Sequence, residues 1–258
     1  MNSPNRTGTL YLVPTPLDFG CDATPGLASA LPEATIATAS RLTHWITENA
    51  KSTRAFLKRV DATHPLTAPL QAQHITELPR QVHKKGDHDP AGGFDARPLL
   101  AAAVAGQDVG LVSEAGMPAI ADPGASVVRA AHALGVPVVP LVGPVSLMLA
   151  LAASGLNGQH FAFVGYLPQE ATARAQRVRE LEALAHKTGQ TQLFIETPYR
   201  NEALLQGLLT TLKPSTRLAV CCGVTLPEQA VFSGTVADWK THKPRLPLAL
   251  PAVFLVGR

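Results

Sequence analysis

The chain has 258 residues, 46% of them hydrophobic and 16% charged, the make-up of a compact globular protein with room for one large domain or two smaller ones. No window approaches the roughly 18 consecutive apolar residues of a membrane span, and the polar stretch 1–7 lacks the apolar core of a secretory signal, so a cytoplasmic protein with no membrane partner is expected. The formal net charge of +3 permits an anionic partner such as RNA but does not demand one.

In chain order, residues 9–13 (T-L-Y-L-V) read as a strand closed by Pro14-Thr15-Pro16. Asp18 lies in the loop that follows, where it either contacts a ligand or caps a turn. Residues 34–38 read as a weak strand. Residues 41–60 carry helical signals, with Ser40 capping a first turn and Ser52 or Thr53 starting a second helix. Residues 74–79 suggest another strand. The polar stretch 80–97 has the length of a functional or solvated loop. It holds His83, Asp87, His88 and Asp89, which are metal-ligand types with nothing rigid to hold them, so no metal site is expected. Residues 99–105 form a short apolar helix ended by Gly106.

The stretch 109–146 organises the rest. The apolar run 109–112 breaks at Ser113-Glu114-Ala115-Gly116, Asp122-Pro123-Gly124 marks a turn, and a helix over 125–134 ends at Gly135. A second apolar run, 136–142, breaks at Gly143-Pro144. A strand, helix, strand unit of this kind predicts a parallel sheet, and ligands of open α/β sheets bind outside the carboxyl ends of the strands. The small residues of the loops 113–118 and 143–146 allow close backbone approach to such a ligand.

After 143 the pattern starts again: a buried helix over 146–153, a strand over 161–166, an amphipathic helix over 170–187, a strand over 192–196 and a helix over 200–212. Strands over 218–224, 229–233 and 249–256 follow, with a short helix around Trp239. Two successive sets predict two α/β domains, 1–143 and 144–258, each on a mostly parallel sheet. Cys21, Cys221 and Cys222 have neither zinc-ligand spacing nor the density of a disulfide framework.

Several ordered motifs resemble the tetrapyrrole methylase superfamily, and within it the branch that methylates small-subunit rRNA. Gly8-Thr9-Leu10-Tyr11-Leu12-Val13-Pro14-Thr15-Pro16 resembles that branch's opening strand. Leu111-Val112-Ser113-Glu114-Ala115-Gly116-Met117-Pro118 resembles its L-V-S-D-A-G-T-P loop. Gly165-Tyr166-Leu167-Pro168 and Phe194-Ile195-Glu196-Thr197-Pro198-Tyr199-Arg200 are similar to motifs of its second domain. The resemblance implies two α/β domains with S-adenosyl-L-methionine in the cleft between them, usually as a homodimer. It also implies methyl transfer to a ribose 2′-hydroxyl of rRNA in the small ribosomal subunit. Carried over position by position, it implies cofactor contacts from Pro16, Ser113, Glu114, Ala115, Gly116, Pro118 and Ser146. From the second domain it implies contacts from Tyr166, Leu167, Glu196, Thr197, Ala219 and Pro251. Arg54 and Arg200 are the candidates for substrate contact, and no catalytic residue is identified.

The chain departs from the branch at four places. Leu17-Asp18-Phe19 replaces the end of P-I-G-N, and residues 48–54 carry extra residues against E-D-T-R. Residues 219–225 lack the Arg and Glu of A-R-E-L-T, and Leu250-Pro251-Ala252 stands in place of K-G-E. The missing charge leaves two alternatives beside rRNA: a tetrapyrrole or other small metabolite as acceptor, or a homologue that binds the cofactor without catalysis.

Overall fold

The computed structural model describes residues 6–18, 26–79, 82, 87 and 94–258. The chain divides into two compact units, Met1–Val145 and Ser146–Arg258.

The first unit carries a sheet of five strands in the order β3-β2-β4-β1-β5. These are β1 (Leu10–Val13), β2 (His44–Thr47), β3 (His74–Glu77), β4 (Val109–Val112) and β5 (Val138–Pro140). Every pairing is parallel. All four residues of β4 are buried, as a central strand covered on both faces requires. One face packs on α1 (Glu33–Arg41) and α2 (Ala50–Asp61), through Ile36, Ala39, Phe56, Leu57 and Val60. The other packs on α3 (Ala101–Val104) and α4 (Ala125–Ala133), through Ala103, Val127 and Ala131.

The structure departs from the sequence expectation at two places in this unit. Residues 34–38 lie inside α1, not in a strand. Thr35, Ile36, Ala39 and Ser40 fall at helical spacing and bury one face, and that burial outweighs the β-branched composition. Residues 41–60 are not helical throughout. Trp45, Ile46 and Thr47 are buried in β2, between β3 and β4, and Asn49, not Ser52 or Thr53, caps the helix that follows.

The second unit has five strands in the order β6-β7-β10-β8-β9. They are β6 (Phe161–Tyr166), β7 (Thr191–Glu196), β8 (Arg217–Cys222), β9 (Ala230–Thr235) and β10 (Ala252–Gly257). Only β6 and β7 pair in parallel; the other three pairings are antiparallel. The expected mostly parallel sheet is therefore corrected to a mixed one. Its single parallel pair is the one joined through a helix, α6 (Ala171–Thr188), and β10 inserts in the opposite direction between β7 and β8.

The helices α6, α7 (Asn201–Thr211) and α8 (Val236–His242) cover one face of this sheet over Phe194 and Phe254. The helix α5 (Ser146–Ser154) contacts β8, β9 and β10. Cys222 belongs to the core under α6–α8, whereas the Cys221 thiol donates to Ala150 O at 3.6 Å. Burial pushes the Cys221 thiol up to about 11, and burial with Cys221 alongside pushes Cys222 up to about 12. Both are protonated packing residues.

Candidate functional site

Parallel pairing places the carboxyl ends of β1–β5 along one edge of the first sheet. The loop after β1 and the loop after β4 are clasped there. Thr15 N donates to Gly116 O at 3.0 Å, and Gly116 N to Thr15 O at 3.1 Å. Gly116 has φ +82°, and a Cβ on it would lie 2.9 Å from Leu17 Cδ2, so the clasp closes only around glycine.

At the end of β2, the Asn49 side chain accepts from Lys51 N at 2.9 Å and Ser52 N at 3.4 Å, capping α2. Its amide also donates to Glu114 Oε1 at 2.7 Å. Ala50 N, at the same helix end, donates to Glu77 Oε1 at 2.7 Å. Asn49 thus fixes the exposed Glu114 carboxylate beside the last residues of β2.

The same edge holds a buried polar centre. Ser113 is 4% exposed, and its hydroxyl has no hydrogen-bond partner of good geometry. Asp122 lies beside it. Burial, and then the Glu48 and Glu114 carboxylates, push the Asp122 carboxyl up from 3.8 to about 7, with the Ser113 hydroxyl opposing. Between the loop and Asp122, Ala119 (φ 65°) and Ala121 (φ 62°) take left-handed backbone, which alanine adopts only under constraint. Next to this loop is an apolar hollow of about 440 Å³, lined by Leu12, Met117, Pro118, Ile120 and Val145 among others. Carboxylates, a buried hydroxyl and an apolar hollow together suit a ligand that bears positive charge, hydroxyls and a flat apolar ring.

Of the residues expected in the first unit, Pro16, Ser113, Gly116 and Pro118 are buried at this edge, Ala115 is half-buried and Glu114 is exposed. Arg54 stands exposed on α2, and its guanidinium reaches only Ala50 O at 3.5 Å among the described residues. Asp18 is held by the Arg59 guanidinium and so serves an ion pair. Asp87 accepts from Gly124 N, Ser126 N and Ser126 Oγ at 2.9, 2.8 and 2.6 Å, which makes it an anchor for the start of α4. His83, His88 and Asp89 lie outside the described residues. Among the described residues no group of three or more His, Cys, Asp or Glu side chains is placed to hold a metal.

In the second unit the matching edge is formed by the carboxyl ends of β6, β7 and β8 and the start of β10, where Ala252 pairs with both Glu196 and Cys222. A bulge between Phe163 and Tyr166, with Gly165 at φ +72°, re-aims Tyr166, which is 58% exposed. Leu167 beside it is buried. Glu196 is buried and accepts from Thr197 N, Thr197 Oγ1 and Arg200 Nη2 at 2.7, 3.2 and 2.6 Å. The guanidinium of Arg200 is thereby an ion-pair partner as well as a candidate contact.

Pro251 O accepts from Gly223 N at 2.8 Å, closing this edge. Ser146 opens α5 and is half-buried. Ala219 pairs with Leu255, well back from the edge, and is fully buried; Cys222 and Gly223 occupy the edge in its place. Asn49, Glu48 and Asp122 carry no site signal in the sequence. Asp122-Pro123-Gly124 signalled only a turn, and the carboxylate that most raises it among its neighbours, Glu48, comes from a different strand end.

Residues 9–240 match the family of tetrapyrrole (corrin/porphyrin) methylases. Among curated proteins, the chain is 34% identical over 236 residues to the ribosomal RNA small subunit methyltransferase I of Xylella fastidiosa (strain Temecula1), covering 91% of this chain and 75% of that one. It is 30% identical over 231 residues to the protein of the same name from Halalkalibacterium halodurans, covering 90% and 69%. Among solved structures, a uroporphyrin-III C-methyltransferase from Thermus thermophilus complexed with S-adenyl homocysteine gives a TM-score of 0.53 at 18% identity, over 97% of this chain and 98% of that one. The methyltransferase CobJ gives 0.53 at 20% identity, over 98% and 95%. The structural likeness carries the fold, and the sequence relatives carry the branch. The chain belongs to the tetrapyrrole (corrin/porphyrin) methylase family and is an S-adenosylmethionine-dependent methyltransferase related to the ribosomal RNA small subunit methyltransferases I.

Proposed function

We propose that this methyltransferase modifies rRNA of the small ribosomal subunit in the cytoplasm, at a ribose 2′-hydroxyl. The observation that carries the proposal is similarity along nearly the whole chain, 34% over 91% of it, to a protein named for that activity.

The cofactor, when bound, supplies a methyl group on a positively charged sulfur, which is electrophilic without further activation. The chain's task is then to bind and align, and orientation alone accounts for a large share of such a rate enhancement. On this reading Ser113, Glu114, Ala115, Gly116, Pro118 and Pro16 hold the cofactor from the first unit. The buried Ser113 hydroxyl meets one of its polar groups, and the carboxylates of Glu48 and Glu114 balance its positive charge. Ser146, Tyr166, Leu167, Glu196, Thr197 and Pro251 serve from the second unit, with Gly223 taking the edge position first given to Ala219.

The charge missing from the A-R-E-L-T position does not argue against RNA. Val220, Cys221 and Cys222 are fully buried, so no surface cation is lost with them. A tetrapyrrole or metabolite acceptor, or a loss of catalysis, is not favoured. The proposal extends to a homodimer, supported by the family and by the exposed Val139 and Val142 of the first unit. Calorimetric titration with S-adenosylhomocysteine tests the cofactor part: one site per chain is expected, and no heat of binding would contradict it.

A further inference from the structure

The second unit carries a surface that the cofactor site does not use. Tyr199 is 80% exposed, the most exposed of the large hydrophobic side chains among the described residues. It sits in a short 3₁₀ turn, Pro198–Arg200, directly after β7. The Arg200 guanidinium lies 5.4 Å from its ring centroid and is itself held by Glu196 at 2.6 Å. The ring is therefore backed by a fixed cation while most of its surface remains open to solvent.

Tyr199 also forms one wall of an open groove of about 790 Å³. Pro198 and Glu202 lie on the same side, and the strap 246–249 (L-P-L-A) forms the other. The strap is held in place by Asn201, whose buried amide donates to Leu248 O at 3.0 Å and Leu250 O at 2.9 Å. Apart from Glu202 the lining is apolar or aromatic.

The chain that enters this strap is basic. Residues 240–245 read K-T-H-K-P-R, with no acidic residue among them. Lys240, His242, Lys243 and Arg245 are all exposed. Lys243, in left-handed backbone (φ 46°), ends α8, and the run continues directly into the strap 246–249 that lines the groove. A row of cations leading into an apolar slot beside an open aromatic ring matches a single nucleic-acid strand: phosphates along the cations, a base on the ring.

We propose that this groove is a nucleobase-stacking site for an unpaired segment of the acceptor RNA. Tyr199 is its platform, Arg200 its positioning residue, and Lys243 and Arg245 its phosphate contacts. The inference rests on RNA being the methyl acceptor and adds the place on this chain where that RNA is gripped. Recognition is of unpaired RNA, because a base inside a duplex offers no face to the ring.

The test uses the full chain and a short, fluorescently labelled single-stranded RNA of mixed sequence, with the matching RNA duplex as competitor. The wild type is expected to prefer the single strand. Tyr199→Ala should weaken binding about tenfold or more, the loss of one stacked base, while Tyr199→Phe and Tyr199→Trp retain it. Lys243→Glu with Arg245→Glu should weaken binding and flatten the dependence of log affinity on log salt by about one to two.

Equal affinity of wild type and Tyr199→Ala, in a variant whose circular dichroism is unchanged, overturns the groove. Methyl transfer to small-subunit rRNA, followed in parallel, separates the two levels. A wild type that methylates rRNA while Tyr199→Ala binds as tightly overturns the groove alone. A wild type that neither binds nor methylates RNA overturns both.

Discussion

Asn49 and Glu114, far apart in sequence, are joined by a 2.7 Å hydrogen bond from the Asn49 side-chain amide to Glu114 Oε1. The bond ties the capped start of α2 to the loop after β4, and so couples two strand ends of the first sheet. Asn49→Ala removes both the cap and the tie. It should lower stability by about 1–2 kcal/mol in thermal or urea denaturation. Asn49→Asp keeps an acceptor for the cap but sets a second carboxylate against Glu114, and should be more destabilising at neutral than at acidic pH.

Asp122 gives the first unit a pH dependence with a definite sign. Folding raises its carboxyl from 3.8 to about 7, so between those values the folded protein holds a proton that the unfolded chain releases. Its contribution to stability therefore declines as pH rises through that window, by at most about 4 kcal/mol. Asp122→Asn should remove this decline. Urea midpoints of the two proteins, compared below and above the window, check it: the variant should gain on the wild type as pH rises.

Asp87 acts in the opposite direction. Burial alone would raise its carboxyl, but the Ser126 hydroxyl and amide and the Gly124 amide outweigh burial and hold it below 3.8. Its stabilising contribution is present above the ordinary carboxylate range and fades as pH falls through the lowered value. Asp87→Ala strands buried donors at the start of α4 and should cost about 1–3 kcal/mol at neutral pH. Thermal melts should show the wild type and the variant converging in acid.

These relationships mark the limit of what was legible in the sequence. The parallel first sheet could be read, because 109–112 and 136–142 are apolar runs with a capped helix between them. The direction of the second sheet could not. All six residues of β10 are buried, the same signature a parallel strand gives, although it runs antiparallel to both neighbours. Strand β2 was hidden because four residues, H-W-I-T, are too few to show a period. The Ser113–Pro118 loop stood out through its small residues, whereas Asp122 acquires its character from Glu48 and Glu114, which only folding brings near.

Ala115 tests the placement of the cofactor. It is half-buried in the loop between Glu114 and the Thr15–Gly116 clasp. Ala115→Trp should fill the space before the loop and reduce S-adenosylhomocysteine affinity by tenfold or more in calorimetry, with the fold retained by circular dichroism. Unchanged affinity would place the cofactor elsewhere.

The most direct measurement is transfer of a labelled methyl group from S-adenosylmethionine to purified small ribosomal subunits that lack the modification, followed by digestion to nucleosides. The account predicts label in rRNA, on a ribose 2′-oxygen, and none on a tetrapyrrole offered in parallel. Label on the tetrapyrrole or on a small metabolite, with rRNA unlabelled, would contradict it.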